Sequence, residues 1–168
     1  FTMYKFSWTE RMVGISLGVV GLLVGLVQGG LIRYTTPRLG EQKSIYYGLA
    51  FYAVGMLLFA FASEGWMMFV FLIPYCLGGI AQPAIQAVMA GKVPPNAQGE
   101  LQGAITSLMS LAAIIGPLVM NNLFFFFTHS EAPVYLPGAP FFLGAILMAA
   151  SAIIAYKTLH QTKTVEAV

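Results

Sequence analysis

Five long apolar stretches, separated by short inserts rich in charge, proline or glycine, dominate this 168-residue sequence. The hydrocarbon of a bilayer is about 30 Å thick, so a helix rising 1.5 Å per residue crosses it with about 20 mainly apolar residues. Residues 12–32, 44–62, 66–89, 101–125 and 141–156 meet or approach that length. They predict an all-α membrane protein, a single unit of five transmembrane helices. The insert 33–43 is the most polar in the chain and predicts a loop in water, as does 90–100 with its paired prolines, while 157–168 reads as a tail. Composition points the same way: 58% of residues are apolar and 8% charged, with no Asp, whereas ordinary soluble chains carry about a quarter charged residues.

Several function classes fall away. Eight Lys/Arg against six Glu leave a net charge of +2 without any basic tract, which excludes nucleic acid as a partner. Cys76 stands alone, so neither an internal disulfide nor a cysteine metal cluster can form. No nucleophile–base pair, metal-ligand cluster or phosphate loop is present, and His129 and His160 fall in loop or tail, so an enzyme is not expected. No metal or cofactor is expected either. The opening residues lack a signal peptide's basic start, short apolar run and cleavage site, and read as the beginning of a fragment.

Positive residues flanking spans are retained in the cytoplasm. Arg33, Arg38, Lys43, Lys92, Lys157 and Lys163 fall on one side of the five spans and only Lys5 and Arg11 on the other. The inserts at 33–43 and 90–100 and the tail are therefore expected inside, with Phe1, Glu64 and Glu131 outside.

Helices in lipid associate through close packing and hydrogen bonds, so small residues mark contact faces. Gly14, Gly18, Gly21, Gly25 and Gly29 recur every three or four residues, forming one stripe on the first span. Two readings stand: a static packing groove, or a bare ridge on which this helix rocks. Polar side chains within spans need a partner or water, because an unpaired amide in hydrocarbon costs several kcal/mol. Gln82 and Gln86 share a face of the third span around Pro83, with Gly78 and Gly79 above and Met89 a turn below; Gln28 on the first span and Gln102, Thr106 and Ser110 on the fourth extend the pattern. They either clamp neighbouring helices or line one amphiphilic cavity for a polar, mostly flat ligand. Asn121 and Asn122 lie nearer the end of the fourth span, where they cap or solvate it. Gly116-Pro117 predicts a kink there. The many methionines read as adaptable filler. No ionisable residue lies deep in a span, so these five alone do not make a complete proton-driven pump.

The runs Trp-Thr-Glu-Arg-Met-Val-Gly-Ile-Ser-Leu-Gly, Pro-Arg-Leu-Gly-Glu-Gln-Lys, Ser-Glu-Gly-Trp, Gly-Gly-Ile-Ala-Gln-Pro-Ala-Ile-Gln, Gln-Gly-Glu-Leu-Gln-Gly and Ile-Ile-Gly-Pro-Leu resemble, in order, the C-terminal half of bacterial tetracycline-resistance efflux transporters of the major facilitator superfamily. The likeness covers residues 7–125 well and the last span weakly. It implies family helices eight to twelve of a twelve-helix fold built as two halves, set in the bacterial inner membrane. It implies exchange of an amphiphilic drug for protons, with magnesium only as part of a chelated substrate. The N-terminal half, where the coupling acids usually lie, would then be a missing partner. The family's cytoplasmic latch signature implies a gating role for Arg38 and Gly40, beside Lys43, although Pro37 stands where that signature has Asp. Gly116 and Pro117 resemble the antiporter Gly-Pro motif, with Ala112, Met120 and Asn121 in place of its flanking glycines. The expected function is thus part of a drug:proton antiporter working by alternating access, with Gln82 and Gln86 first and Gln28, Gln102 and Thr106 second for substrate contact. The competing class is a five-span module that does not transport and assembles through the glycine stripe.

Overall fold

A computed structural model of the chain describes residues 1–129, 132 and 134–166, with side chains to Leu159. Glu131 of the expected outer loop and the side chains of His160 and Lys163 lie outside the described residues. Among the described residues all regular structure is helical. After a short helix α1 (Thr2–Phe6), α2 (Glu10–Leu26), a π-helical turn (Val27–Leu31) and α3 (Ile32–Leu39) make one continuous helix. Next come α4 (Glu41–Phe61), α5 (Gly65–Leu77), a 3₁₀ turn (Gly78–Ile80), α6 (Ala81–Gly91), α7 (Gln98–Phe126) and α8 (Ala139–Glu166). Five helical units, Glu10–Leu39, Glu41–Phe61, Gly65–Gly91, Pro95–Phe126 and Ala139–Leu159, are long and apolar enough to cross a membrane.

The inserts between spans are shorter than the sequence suggests. Residues 33–39, expected as loop, continue the first helix, and a single residue, Gly40, separates it from α4. The reversal works because Gly40 holds φ 77° and ψ 163°, a region open essentially to glycine alone. Thirty residues at 1.5 Å make this first helix about 45 Å long, so its polar end at Arg33 to Arg38 extends beyond the hydrocarbon while staying helical. Likewise α8 runs through the expected tail to Glu166.

Packing is organised around α4, whose Ser44, Ile45, Gly48, Leu49, Gly55, Phe59 and Ala60 are all buried. A Cβ placed on Gly48 would lie 2.6 Å from the Ala81 Cβ, and one on Gly55 only 2.8 Å from the Tyr75 Cα. Glycine at these two places lets α4 touch the third span backbone to backbone. Val27, Phe59, Leu72, Cys76 and Ile80 form one apolar cluster; Ile45, Leu49, Ala81, Ala84 and Leu159 form another towards the Lys43 end. The most apolar windows of the second and third spans are 39% buried, against 6% for the first and 0% for the fourth. The outer two helices of this arrangement therefore keep whole faces free.

The glycine stripe on α2 is among those free faces. A Cβ at Gly14, Gly18, Gly21, Gly25 or Gly29 would meet nothing within 4 Å, so no described helix fills the expected groove. The reason is rotational. Val19, Val20, Leu23, Val24 and Val27 carry α2 onto the core, and at 100° per residue they lie half a turn round the helix from the glycines.

At the end carrying both tryptophans, aromatic contacts tie α1 to the spans. The Tyr4 hydroxyl donates to the Thr128 carbonyl at 3.3 Å, Tyr4 meets Phe124 edge to face, Phe1 meets Phe141, and Trp8 stacks on Phe69 at 5.4 Å. A hydrogen bond with Tyr4 holds the Tyr135 hydroxyl above the ordinary phenol pKa, with desolvation adding to it.

Gly48→Val and Gly55→Val are each expected to cost about 1–3 kcal/mol by forcing helices apart, and Gly40→Ala about as much through backbone strain. Thermal unfolding of the purified protein in detergent measures all three; an unchanged midpoint for Gly48→Val would refute the close crossing.

Candidate substrate-binding face

The serine hydroxyls within the spans satisfy themselves locally. Ser107 donates to the Gly103 carbonyl at 2.9 Å, Ser110 to Thr106 at 2.9 Å, Ser151 to Leu147 at 2.8 Å and Ser44 to Gly40 at 2.8 Å. The Asn122 amide does the same with Leu118 at 2.7 Å. This back-bonding removes a bare polar group from hydrocarbon without any second helix. The side chains of Gln28, Gln82, Gln86, Gln102 and Thr106 behave differently. None makes a hydrogen bond to another described residue, and all five are exposed. They are not interhelical clamps within the described chain.

Local backbone structure sets the position of the two leading glutamines. Pro83 has no N–H to give to the carbonyl of residue 79, four positions earlier. Just there the third span tightens into the 3₁₀ turn Gly78–Ile80. Tyr52 of α4 fills the adjoining space, and a Cβ on Gly78 would lie 2.5 Å from its ring. From this fixed point α6 presents Gln82 and Gln86, one turn apart, to a hollow of about 190 Å³. Leu49 and Tyr52 of α4, Ile105 and Met109 of α7 and Met148 of α8 complete its wall with Met89. An apolar lining with a few polar groups is the usual form of a small-molecule site. Two amides supply donors and acceptors, and three thioethers adapt to shape.

The structure thus gathers Gln82, Gln86, Met89, Met109 and Met148 into one hollow. Gln102 and Thr106 lie on α7 near its Ile105 and Met109 without lining that space, and Gln28 sits in the π-helical turn of the first span. That turn meets the 3₁₀ turn directly: the Val27 Cγ1 would be 3.9 Å from a Cβ on Gly79. Helix α7 passes unbroken through Gly116 and Pro117, and a Cβ on Gly116 would meet nothing within 4 Å. Arg38 occupies the last turn of α3 and is exposed. Among the described residues no three His, Cys, Asp or Glu side chains group as metal ligands.

Two features escaped the sequence reading. Tyr52 places a hydroxyl without a hydrogen bond in the glutamine hollow; only its position seven residues before Phe59, on the buried face of α4, hinted at this. A second hollow of about 290 Å³, lined by Trp8, Met56, Phe59, Phe69, Tyr75 and Phe141 among others, gathers aromatic residues from three helices and the segment after α1. No sequence spacing links them.

The helical architecture and its open glutamine face now meet the comparison with known proteins. Residues 1–167 match the model of the Major Facilitator Superfamily. The chain belongs to that superfamily. Its relatives in the superfamily include the class C tetracycline resistance protein of Escherichia coli, 41% identical over 71% of this chain and 30% of the relative. The class H protein of Pasteurella multocida is 37% identical over 98% of this chain and 39% of the relative, and the class B protein of Escherichia coli 34% identical over 88% and 37%. This superfamily chain therefore spans between about a third and two fifths of the relatives it matches. No solved structure matches it.

Tyr52→Phe is expected to leave the fold intact, because the ring and its contact with Gly78 remain. Gln98 tests the neighbouring corner: its Nε2 donates to the carbonyls of Ala90 at 2.8 Å and Val93 at 3.1 Å. Gln98→Leu removes both bonds, at a cost of about 1–3 kcal/mol, and limited proteolysis should then cut near Pro94-Pro95 faster than in Tyr52→Phe or the parent.

Proposed function

We propose that this chain forms part of a drug efflux transporter of the tetracycline-resistance type and is not an enzyme. The observation that carries the reading is the contrast between serines closed onto their own helices and glutamines left open. Unpaired amides facing acyl chains would cost several kcal/mol each, so Gln82 and Gln86 face water or a bound molecule. An amphiphilic, flat drug suits a hollow of two amides among methionines and aliphatic walls. The names of the bacterial relatives favour tetracycline, which would enter with magnesium as its own chelated ion rather than as a cofactor of the protein.

Transport would proceed by alternating access, the hollow opening to each side in turn as two halves rock about it. Helices α2 and α7 bring free faces to such a rearrangement, and an N-terminal half of the relatives' kind is the partner they suit. Exchange with protons needs an ionisable group in the path. Among the described residues the acids with side chains placed stand at helix ends, Glu10 beginning α2, Glu41 beginning α4, Glu64 just before α5 and Glu100 in the first turn of α7, so the coupling acid would belong to the partner half. The surplus of Lys and Arg at the Lys43 end favours an orientation with that end in the bacterial cytoplasm, where Arg38 and Gly40 would help to latch the halves.

Gln82→Leu or Gln86→Leu in the full-length parent is expected to lower tetracycline efflux from cells about tenfold, from loss of one satisfied amide contact, with membrane protein levels unchanged. If either glutamine faces lipid instead, leucine there would raise the melting temperature and leave transport intact, and the reading would fail for that residue.

A further inference from the structure

The start of α4 and the end of the last span, on α8, meet in a cleft separate from the glutamine hollow. It consists of two adjoining hollows of about 450 and 610 Å³, which share Lys43, Tyr46 and Tyr156. Gly40, Glu41 and Gln42 edge the first, where the one-residue reversal leaves room beside α4. Lys157, Tyr47, Ala152 and Ile153 line the second, which runs along α8 toward the apolar middle of the helix. Tyr46 and Tyr156 stand 5.5 Å apart between them.

We propose that this cleft binds one anionic phospholipid, its phosphate held by Lys43 and Lys157 and an acyl chain lying along Ala152 and Ile153. Neither lysine forms an ion pair with a described residue. Glu41 is the one carboxylate among the lining residues and edges only the first hollow, so the cleft keeps a net positive charge that a phosphodiester complements. The three tyrosines stand at the ends of membrane-spanning helices, the level at which aromatic residues meet lipid headgroups. Basic pockets between helix ends on the cytoplasmic side suit anionic headgroups, and the Lys/Arg count assigns this end to the cytoplasm. A soluble phosphate ester would leave the apolar wall unused: Ile153 is 57% exposed, beside the 54% exposed Tyr156, at a depth where a chain of methylenes covers them. The inference rests on the helices crossing a bilayer and is independent of what is transported.

The test uses the full chain, purified in mild detergent and mixed with phosphatidylglycerol or phosphatidylcholine, with bound lipid counted by native mass spectrometry. The parent should retain phosphatidylglycerol in preference to phosphatidylcholine. Lys43→Gln with Lys157→Gln should lower that retention about tenfold, Lys43→Arg with Lys157→Arg should preserve it, and Arg33→Gln with Lys92→Gln, at the same membrane face outside the cleft, should leave it unchanged. Equal retention of the two lipids, equal loss in the Arg33/Lys92 control, or no loss on removing the two cleft lysines overturns the proposal. Displacement of the bound lipid by millimolar glycerol 3-phosphate would assign the cleft to a soluble phosphate ester and overturn it equally.

Discussion

Hydrocarbon offers a polar group nothing to bond with, and every level of this structure answers to that fact. The backbone closes its own bonds by remaining helical over nearly its whole length, even where charged residues follow the first span. Serines donate to the carbonyl a turn behind them. Where Pro83 takes the donor from the carbonyl of residue 79, the chain shifts to a tighter turn buried beneath Tyr52. Left open after this accounting, among the described residues, are the amides of Gln28, Gln82, Gln86 and Gln102 and a few hydroxyls, those of Thr106 and Tyr52 among them.

Because lipid and helix surface are alike in polarity, helix pairing here depends on how closely backbones approach. The crossings at Gly48 with Ala81 and Gly55 with Tyr75 are the two places where α4 gives up its side chain entirely. They make the second and third spans a compact spine, against which α8 lies along its length and the first span through its valine face. The first and fourth spans, by contrast, hold on by one side only. The arrangement thus combines a rigid part with free faces on the first and fourth spans.

The number of crossings, their order and the polar residues within them were legible in the sequence, since length and hydropathy are set by the bilayer and a glutamine among leucines is conspicuous. Their exact ends were not. Arg33, Tyr34 and Thr35 look like loop by polarity, yet helix persists because backbone bonding does not depend on whether the side chains sit in water. The glycines of α2 formed the more regular pattern but face open space, while the pair that brings helices together, Gly48 and Gly55, lies seven apart on α4 and is inconspicuous. Periodicity shows that small residues share a face; it carries no information on what, if anything, stands opposite. Tyr52 was hidden for a similar reason, since its role comes from a glycine on another span.

The clasp made by Gln98 gives the third and fourth spans a mechanical relation. One amide nitrogen at the head of α7 reaches back across the Pro94-Pro95 corner to the carbonyls of Ala90 and Val93, so the foot of α6 and the head of α7 cannot swing separately. Tilting either rod applies torque to the other, and the glutamines on α6 would travel with the wall that α7 holds opposite them, as a single lever arm.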